Sequence, residues 1–483
     1  MIIGVLIAYL VLVLSVGLFG HRLFKGTGED YFVASRSIGP FVLVMTLFGT
    51  NMTAFTMLGA SGKAYHEGII VFALMGSSSA ILIPFLIFYL GTEAWRQGKK
   101  HGYVTQVQLI RGRFGSDLLG LLLFIVAVGL MLPYILIGVK GGGNALTAVT
   151  GGDLEPWVGS LLVCAVTFIY VTYGGMRSTA WVNTLQTGVF VVFGFVASAI
   201  ILSHYGGLES AMLQLKEKHP EFVSIGLDQK HVLKMFSYLL VPLCTAAFPH
   251  LYSHWLSARS AKSLRPAMVC YPALIAAVWF PMVVLGAIGT LNFPGLKPNE
   301  PVLVKLLVEH TSELLTGCLA AGVFAAIMSS LDSQILSLGA MFTEDIVKHY
   351  KLFGQLSDKQ QVWCGRIFVM AFLALAFVCS HYADKSIFSL GTWALTGFAG
   401  LLPLFIGALF WKRATAAGAT ASVLTTAGLW IWFFQDSLSV EGPYSVGGTG
   451  LLPVAIIVPA AAIAIVGVSL VTSPKIESSA AGA

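Results

Sequence analysis

Ser329, Ser330, Asp332 and Ser333 stand together in an otherwise apolar stretch, residues 316–340. At about 1.5 Å of rise per residue, a helix starting near Thr316 carries them roughly 20 to 25 Å along its axis, deep in a bilayer if the stretch crosses one. A carboxylate at that depth costs about 2.5–3.5 kcal/mol on insertion scales, so it is kept where it meets protein, a partner or an ion. On a helix Ser329, Asp332 and Ser333 are i, i+3 and i+4 on one face, with Ser330 on its shoulder. Oxygen donors gathered on one face suit a small hard cation. The purely structural account is a protonated carboxyl, or hydroxyls bonded back to the preceding turn.

The elements that position these groups follow from composition. Of 483 residues, 57% are hydrophobic and 10% charged, a balance that no water-soluble domain of this length keeps. The expected fold class is an all-α polytopic membrane protein. Cutting at charged and turn-rich breaks leaves about thirteen apolar segments long enough to cross a bilayer. They run near residues 2–20, 39–60, 69–90, 117–147, 157–172, 178–203, 234–254, 267–290, 313–340, 362–381, 386–411, 414–435 and 451–471.

Basic residues concentrate in alternate connections: Arg22, Lys25 and Arg36, then Arg96 to Arg113, Arg177, Arg259 to Arg265, Lys348 to Arg366, and Lys412 with Arg413. The positive-inside rule then predicts an N-terminus outside and a C-terminus in the cytoplasm of an inner (plasma) membrane. Topology thus accounts for the net charge of +6, which gives no argument for nucleic acid as a partner. Residues 1–20 lack a basic leader and run directly into His21 and Arg22, so they are expected to remain as a first helix. The six cysteines stand singly, without metal-ligand spacing, as packing residues do. The longest polar stretches, 203–234 and 343–361, hold no Gly-rich phosphate cradle. An ATPase is not expected, and an ion gradient is left as the driving force.

Two segments are interrupted in mid-span. Gly49, Thr50, Asn51, Met52 and Thr53 break the second; Pro242 and Pro249 bracket Cys244, Thr245 and Ala246 in the seventh, with His250 and His254 following at i and i+4. Broken helices at membrane depth occur where they line a cavity, and their freed carbonyls bind cations. The two breaks lie five spans apart, the spacing of an inverted repeat of five plus five helices. Lys140, followed by three glycines, is read as a partner for a solute carboxylate or for Asp332, or as a snorkelling side chain. Lys63, Tyr65, His66 and Glu67 form a solvated vestibule rim, and His250 and His254 are hydrogen-bonded core histidines or a proton relay.

Three runs carry a resemblance: residues 30–37 (DYFVASRS), 174–186 (GGMRSTAWVNTLQ) and 325–330 (AAIMSS). They resemble, respectively, the first cytoplasmic loop, the sixth-helix signature and the ninth-helix sodium motif of the sodium:solute symporter family, and the likeness extends from Met1 to about Leu470. The run 59–65 (GASGKAY) is similar to the pantothenate and monocarboxylate branches.

The resemblance implies a transporter, not an enzyme, with Na+ as coupling ion and a leucine-transporter-like core of two inverted five-helix repeats whose first helices are broken. The units it implies are residues 1–38 (first helix and cytoplasmic loop), 39–203 (first repeat), 204–233 (extracellular loop), 234–411 (second repeat) and 412–483 (two peripheral helices and a cytoplasmic tail). The implied sodium ligands are the carbonyls of Gly49, Met52 and Ala326 and the hydroxyls of Ser329 and Ser330. The implied solute site takes in Asn51, Thr53, Phe55, Ser78, Tyr134, Lys140, Thr245 and His250.

One departure stands out: Asn183 replaces the Asp usual in the family's signature, while Asp332 appears on the ninth helix. Either the charge has crossed the same site, leaving a second cation position at Asp332, Ser333 and Asn183, or that position is lost. The expected solute is a small organic anion, a monocarboxylate first, pantothenate or an amino acid second, sugars third. A sensor with little transport is the alternative from another class.

Overall fold

The computed structural model describes residues 1–22, 26–224, 228–298, 300–354, 356–383, 385–440 and 444–473; Lys25 and the tail beyond residue 473 lie outside them. Ten described helices are long and apolar enough to cross a membrane: α1 (Ile2–His21), α4 (Phe72–His101), α5 (Asp117–Val149), α6 (Pro156–His204), α9 (Ala261–Leu291), α10 (Glu313–Lys348), α11 (Asp358–Tyr382), α12 (Ile387–Phe410), α13 (Ala416–Asp436) and α14 (Val454–Val471). Two bent pairs bring the number to twelve if each is one span: α2 (Pro40–Asn51) with α3 (Phe55–Glu67), bent by 50°, and α7 (Gln229–Ala246) with α8 (Pro249–Ser257), bent by 49°. The sequence divides α6 into two segments, 157–172 and 178–203, and the fold has a kink between them: Gly175, at φ 56° and ψ −153°, is non-helical and joins two helices. An L side chain rarely adopts that conformation, and a Cβ there would lie 2.6 Å from the Tyr31 carbonyl. The carbonyls of Val171 and Thr172, just before the kink, accept from the Tyr31 hydroxyl at 3.2 and 3.3 Å.

Both breaks have local causes. After Asn51 the chain is extended at Met52 (φ −90°, ψ 92°), and Thr53 restarts the helix by accepting from the Phe55 amide at 2.9 Å. In the second pair a tight turn, Val241–Ala246, ends α7, and Pro249 opens α8 after an extended Phe248.

The two broken helices run antiparallel and meet at both ends. At one end Ile38 and Ala258 form a parallel bridge, with Ile38 N–H donating to Ser257 O at 3.0 Å and Arg259 N–H to Ile38 O at 2.8 Å. At the other, Lys234 of α7 pairs with Glu67 of α3 at 2.7 Å. Leading into the bridge, Ala34, Ser35 and Arg36 have φ of 50°, 48° and 52°, a left-handed run that costs about 1–2 kcal/mol per residue. Neighbours hold it in place. Arg36 donates to Leu256 O, Gly98 O and Tyr103 O; Ser35 donates to Asp30, which is fully buried and takes a bidentate pair from Arg177 at 2.7 to 3.0 Å. The most apolar windows of α10 and α12 are 83% buried and those of α1 and α14 only 28%, so the core is built around the helix that carries Ser329 and Asp332.

Candidate cation and solute site

Because α2 stops at Asn51, Gly49 O is one of the terminal carbonyls that a helix leaves without an amide of its own. Ser329 of α10 donates to it at 2.9 Å and also reaches Ala326 O at 3.1 Å. Gly49 carbonyl, Ala326 carbonyl and Ser329 hydroxyl are thereby drawn to one point between α2 and α10. The contact needs glycine at position 49, where a Cβ would lie 2.2 Å from Thr187 Oγ1 on α6. Ser330 is buried beside it and donates to Ile327 O at 3.0 Å. A hydroxyl that donates to a carbonyl still offers oxygen lone pairs to an ion. Met52 is buried at the break itself.

One turn on, Asp332 is fully buried and both of its oxygens are engaged. Tyr170 donates to Oδ2 at 3.1 Å and Ser333 to Oδ1 at 3.0 Å. Ser333 in turn accepts from Asn183 Nδ2 at 3.0 Å and lies 2.9 Å from His254 Nε2. The three residues expected to share a second cation position are therefore in one cluster. Asn183 Oδ1 and Gln186 Oε1 are buried there without a hydrogen-bond partner, and such buried acceptors are costly to leave unfilled. Tyr170 was not foreseen: it is 162 residues away in sequence, and only the packing of α6 on α10 brings it in.

Between the two breaks lies a cavity of about 30 Å³, enough for one or two waters, so a solute is admitted only when the lining moves. Of the eight expected solute contacts, Asn51, Thr53, Phe55, Tyr134 and Thr245 line it, together with Met52, Thr56, Ser79, Cys244 and Trp279. None of the lining residues is Lys, Arg, Asp or Glu. Asn51 Nδ2 and Thr245 Oγ1 are buried and unpartnered.

The other three expected contacts sit elsewhere. Ser78 turns back to its own helix, donating to Met75 O at 3.2 Å, and it is Ser79, one residue on, that reaches the cavity. His250 packs behind the lining, its ring centroid 5.5 Å from Tyr134 and 4.8 Å from Phe248, with both ring nitrogens unpartnered. Lys140 corrects the sequence reading most. Its ammonium donates to the backbone carbonyls of Ala383 and, at 2.9 Å, Lys385, near the start of α12, and it faces neither the cavity nor Asp332. Trp279 and Ser79 went unnoticed because a single residue on a uniformly apolar helix carries no phase signal.

The chain is similar to known proteins in sequence and in fold. The chain is 24% identical over 445 residues to the osmoregulated proline transporter OpuE of Bacillus subtilis, covering 89% of this chain and 88% of that one. It is 26% identical to the sodium/pantothenate symporter of Escherichia coli, with 87% of each covered. Among solved structures, a substrate-bound, outward-open Na+-coupled sialic acid symporter superposes with a TM-score of 0.79 at 18% identity over 98% of both chains. MhsT in complex with L-phenylalanine superposes with a TM-score of 0.58 at 14% identity, over 90% of this chain and 98% of that one. Residues 31–426 match the family model of the sodium:solute symporters, and the chain belongs to that family of multi-pass, sodium-coupled transporters, with the leucine-transporter-like architecture of inverted repeats and broken first helices.

Proposed function

We propose that the protein imports a small organic carboxylate together with sodium, by alternating access, across the plasma membrane. The observation that carries this reading is the bond from Ser329 to the Gly49 carbonyl, two and three residues before the Asn51 and Met52 that line the cavity. Sodium held by Gly49, Met52, Ala326, Ser329 and Ser330 would fix α10 against the break and, through it, the shape of the solute site. Linkage makes the effect reciprocal: the solute tightens sodium by the same factor. Release of sodium loosens α2 from α10 and opens the inner path.

Several features favour a carboxylate. The unpartnered Asn51 amide and Thr245 hydroxyl are donors, no acid lines the cavity, and a sodium ion next to it balances a negative charge. Proline, pantothenate and sialic acid, named for the relatives, each carry one carboxylate. The solute contacts are Asn51, Thr53, Phe55, Tyr134 and Thr245. A second cation sits at Asp332, Ser333 and Asn183, a reading favoured by the unfilled Asn183 Oδ1. The repeats span residues 39–203 and 234–411, joined by the outer loop 204–233 and flanked by 1–38 and 412–483, with the N-terminus outside and the C-terminus in the cytoplasm.

The test is thermal stabilisation of the purified protein, with and without sodium, against small carboxylates, proline, pantothenate and sugars, followed by sodium-driven uptake into vesicles. A carboxylate that raises the melting temperature only with sodium present, and is accumulated, supports the reading. Sugars alone acting in this way would overturn the carboxylate assignment; no sodium effect on any solute would favour the sensor.

A further inference from the structure

We propose that Lys63, Glu67 and Lys234 form a capture site for the carboxylate of the incoming solute, one aromatic layer outside the cavity; this rests on the carboxylate reading and on the orientation proposed above. Lys63 and Glu67 are i and i+4 at the end of α3, and Lys234 lies near the start of α7. Glu67 Oε1 is 2.7 Å from both ammonium groups, whereas Glu67 Oε2 is buried without a hydrogen-bond partner. The three side chains are mostly buried, at 14%, 20% and 23% exposure for Lys63, Glu67 and Lys234.

The charges do not cancel. Two ammonium groups face one carboxylate, and among the described residues Glu67 is the sole acid paired with either. Lys230 on α7 adds to the surplus, and His66 and Tyr238 are the other titratable groups facing the cluster. Each ammonium has three N–H donors, and both converge on one oxygen. A second carboxylate can therefore take the remaining donors, or displace Glu67 from one lysine, in the geometry that Glu67 already adopts.

The position gives the surplus its use. Lys63 Nζ lies 5.5 Å from the ring centroid of Phe388. Phe388 stacks on Phe55 at 4.8 Å and 22°, and Phe55 lines the cavity. An anion held at the lysines thus waits directly above the two rings that must part to admit it. None of the side chains lining the cavity is charged, so the attraction that side chains exert on an incoming anion acts here, before desolvation. Such steering enters through KM and weakens as salt shortens the Debye length.

The test uses the full-length protein in nanodiscs of zwitterionic lipid, in sodium-free choline chloride of low ionic strength, with trifluoroacetate as the probe and its 19F line width as the readout. The wild type broadens the line. The double variant Lys63→Gln, Lys234→Gln reduces the broadening about fivefold or more, and Glu67→Gln, which removes the resident competitor, increases it about twofold. Lys63→Arg keeps the charge and the broadening, which separates capture from a merely structural contact.

In uptake, Lys63→Gln raises KM for a carboxylate about three- to tenfold while kcat and sodium half-saturation stay fixed, and the difference narrows as salt is raised. Broadening that is indifferent to both lysines, or Lys63→Arg behaving as Lys63→Gln does, overturns the proposal. Sodium-driven carboxylate uptake with lysine-independent broadening removes the capture site and leaves the cargo assignment standing. Lysine-dependent broadening without uptake of any carboxylate removes the cargo assignment and leaves the anion site standing.

Discussion

Replacing Ser329 by alanine removes one oxygen from the point where α10 meets the broken α2. In the sodium-free protein the loss is that of a neutral hydrogen bond, the 2.9 Å contact to Gly49 O, and lowers stability by about 1 kcal/mol. With sodium the same oxygen faces a full charge, and a hydrogen bond or contact of that kind is worth about 1.5–3 kcal/mol. At about 1.4 kcal/mol per factor of ten, sodium half-saturation rises about 10- to 100-fold. The assay is a sodium titration of thermal stability and of uptake, with Ser329→Thr, which keeps the hydroxyl, as the control. Linkage adds a second readout: at fixed subsaturating sodium the apparent solute affinity falls, and it recovers when sodium is raised to saturation. If Ser329→Ala lowers sodium-free stability but leaves half-saturation unchanged, the hydroxyl is only a bolt between helices and the ion lies elsewhere.

Asp332→Asn is expected to lower the Hill slope for sodium; an unchanged slope with normal affinity sinks the second cation position. Lys140→Met is expected to lower stability without changing KM for a carboxylate, since the ammonium holds carbonyls near the start of α12; a tenfold rise in KM at unchanged stability contradicts that. Asp30→Asn leaves the partly buried Arg177 without its bidentate partner and costs about 3–5 kcal/mol, part of which the double variant with Arg177→Gln restores. A loss below about 1 kcal/mol in a thermal or denaturant melt refutes the structural role of that pair.

What could be read from the sequence was what apolar surroundings make conspicuous. Hydroxyls and a carboxylate in an otherwise apolar α10 are costly to leave facing lipid, and glycine, asparagine and proline in mid-span interrupt a helix, so their presence alone points to a buried polar cluster and two breaks. The pairing of Gly49 with Ser329 came through family resemblance, because no spacing rule links residues 280 positions apart. Lys140 was misplaced for a related reason. Its own helix fixes its depth, but the carbonyls that receive it, Ala383 and Lys385, belong to a distant connection. Ser78 and Ser79 show the remaining difficulty: adjacent serines differ by about 100° of helical phase, and a helix buried on several sides gives no hydrophobic stripe to set that phase.

The bridge between Ile38 and Ala258 is made of main chain. Alanine scanning keeps every amide and carbonyl in it, so whatever it returns at residues 38 and 257–259 reports the buried Ile38 and Ser257 side chains and not the link, however much the carrier depends on it. The lesion that reveals it removes a donor: proline at position 38 or 259. In populations the same property acts as a buffer. Any residue but proline at positions 38 and 259 keeps the two donors that stitch the broken helices, so variability there is no sign of dispensability.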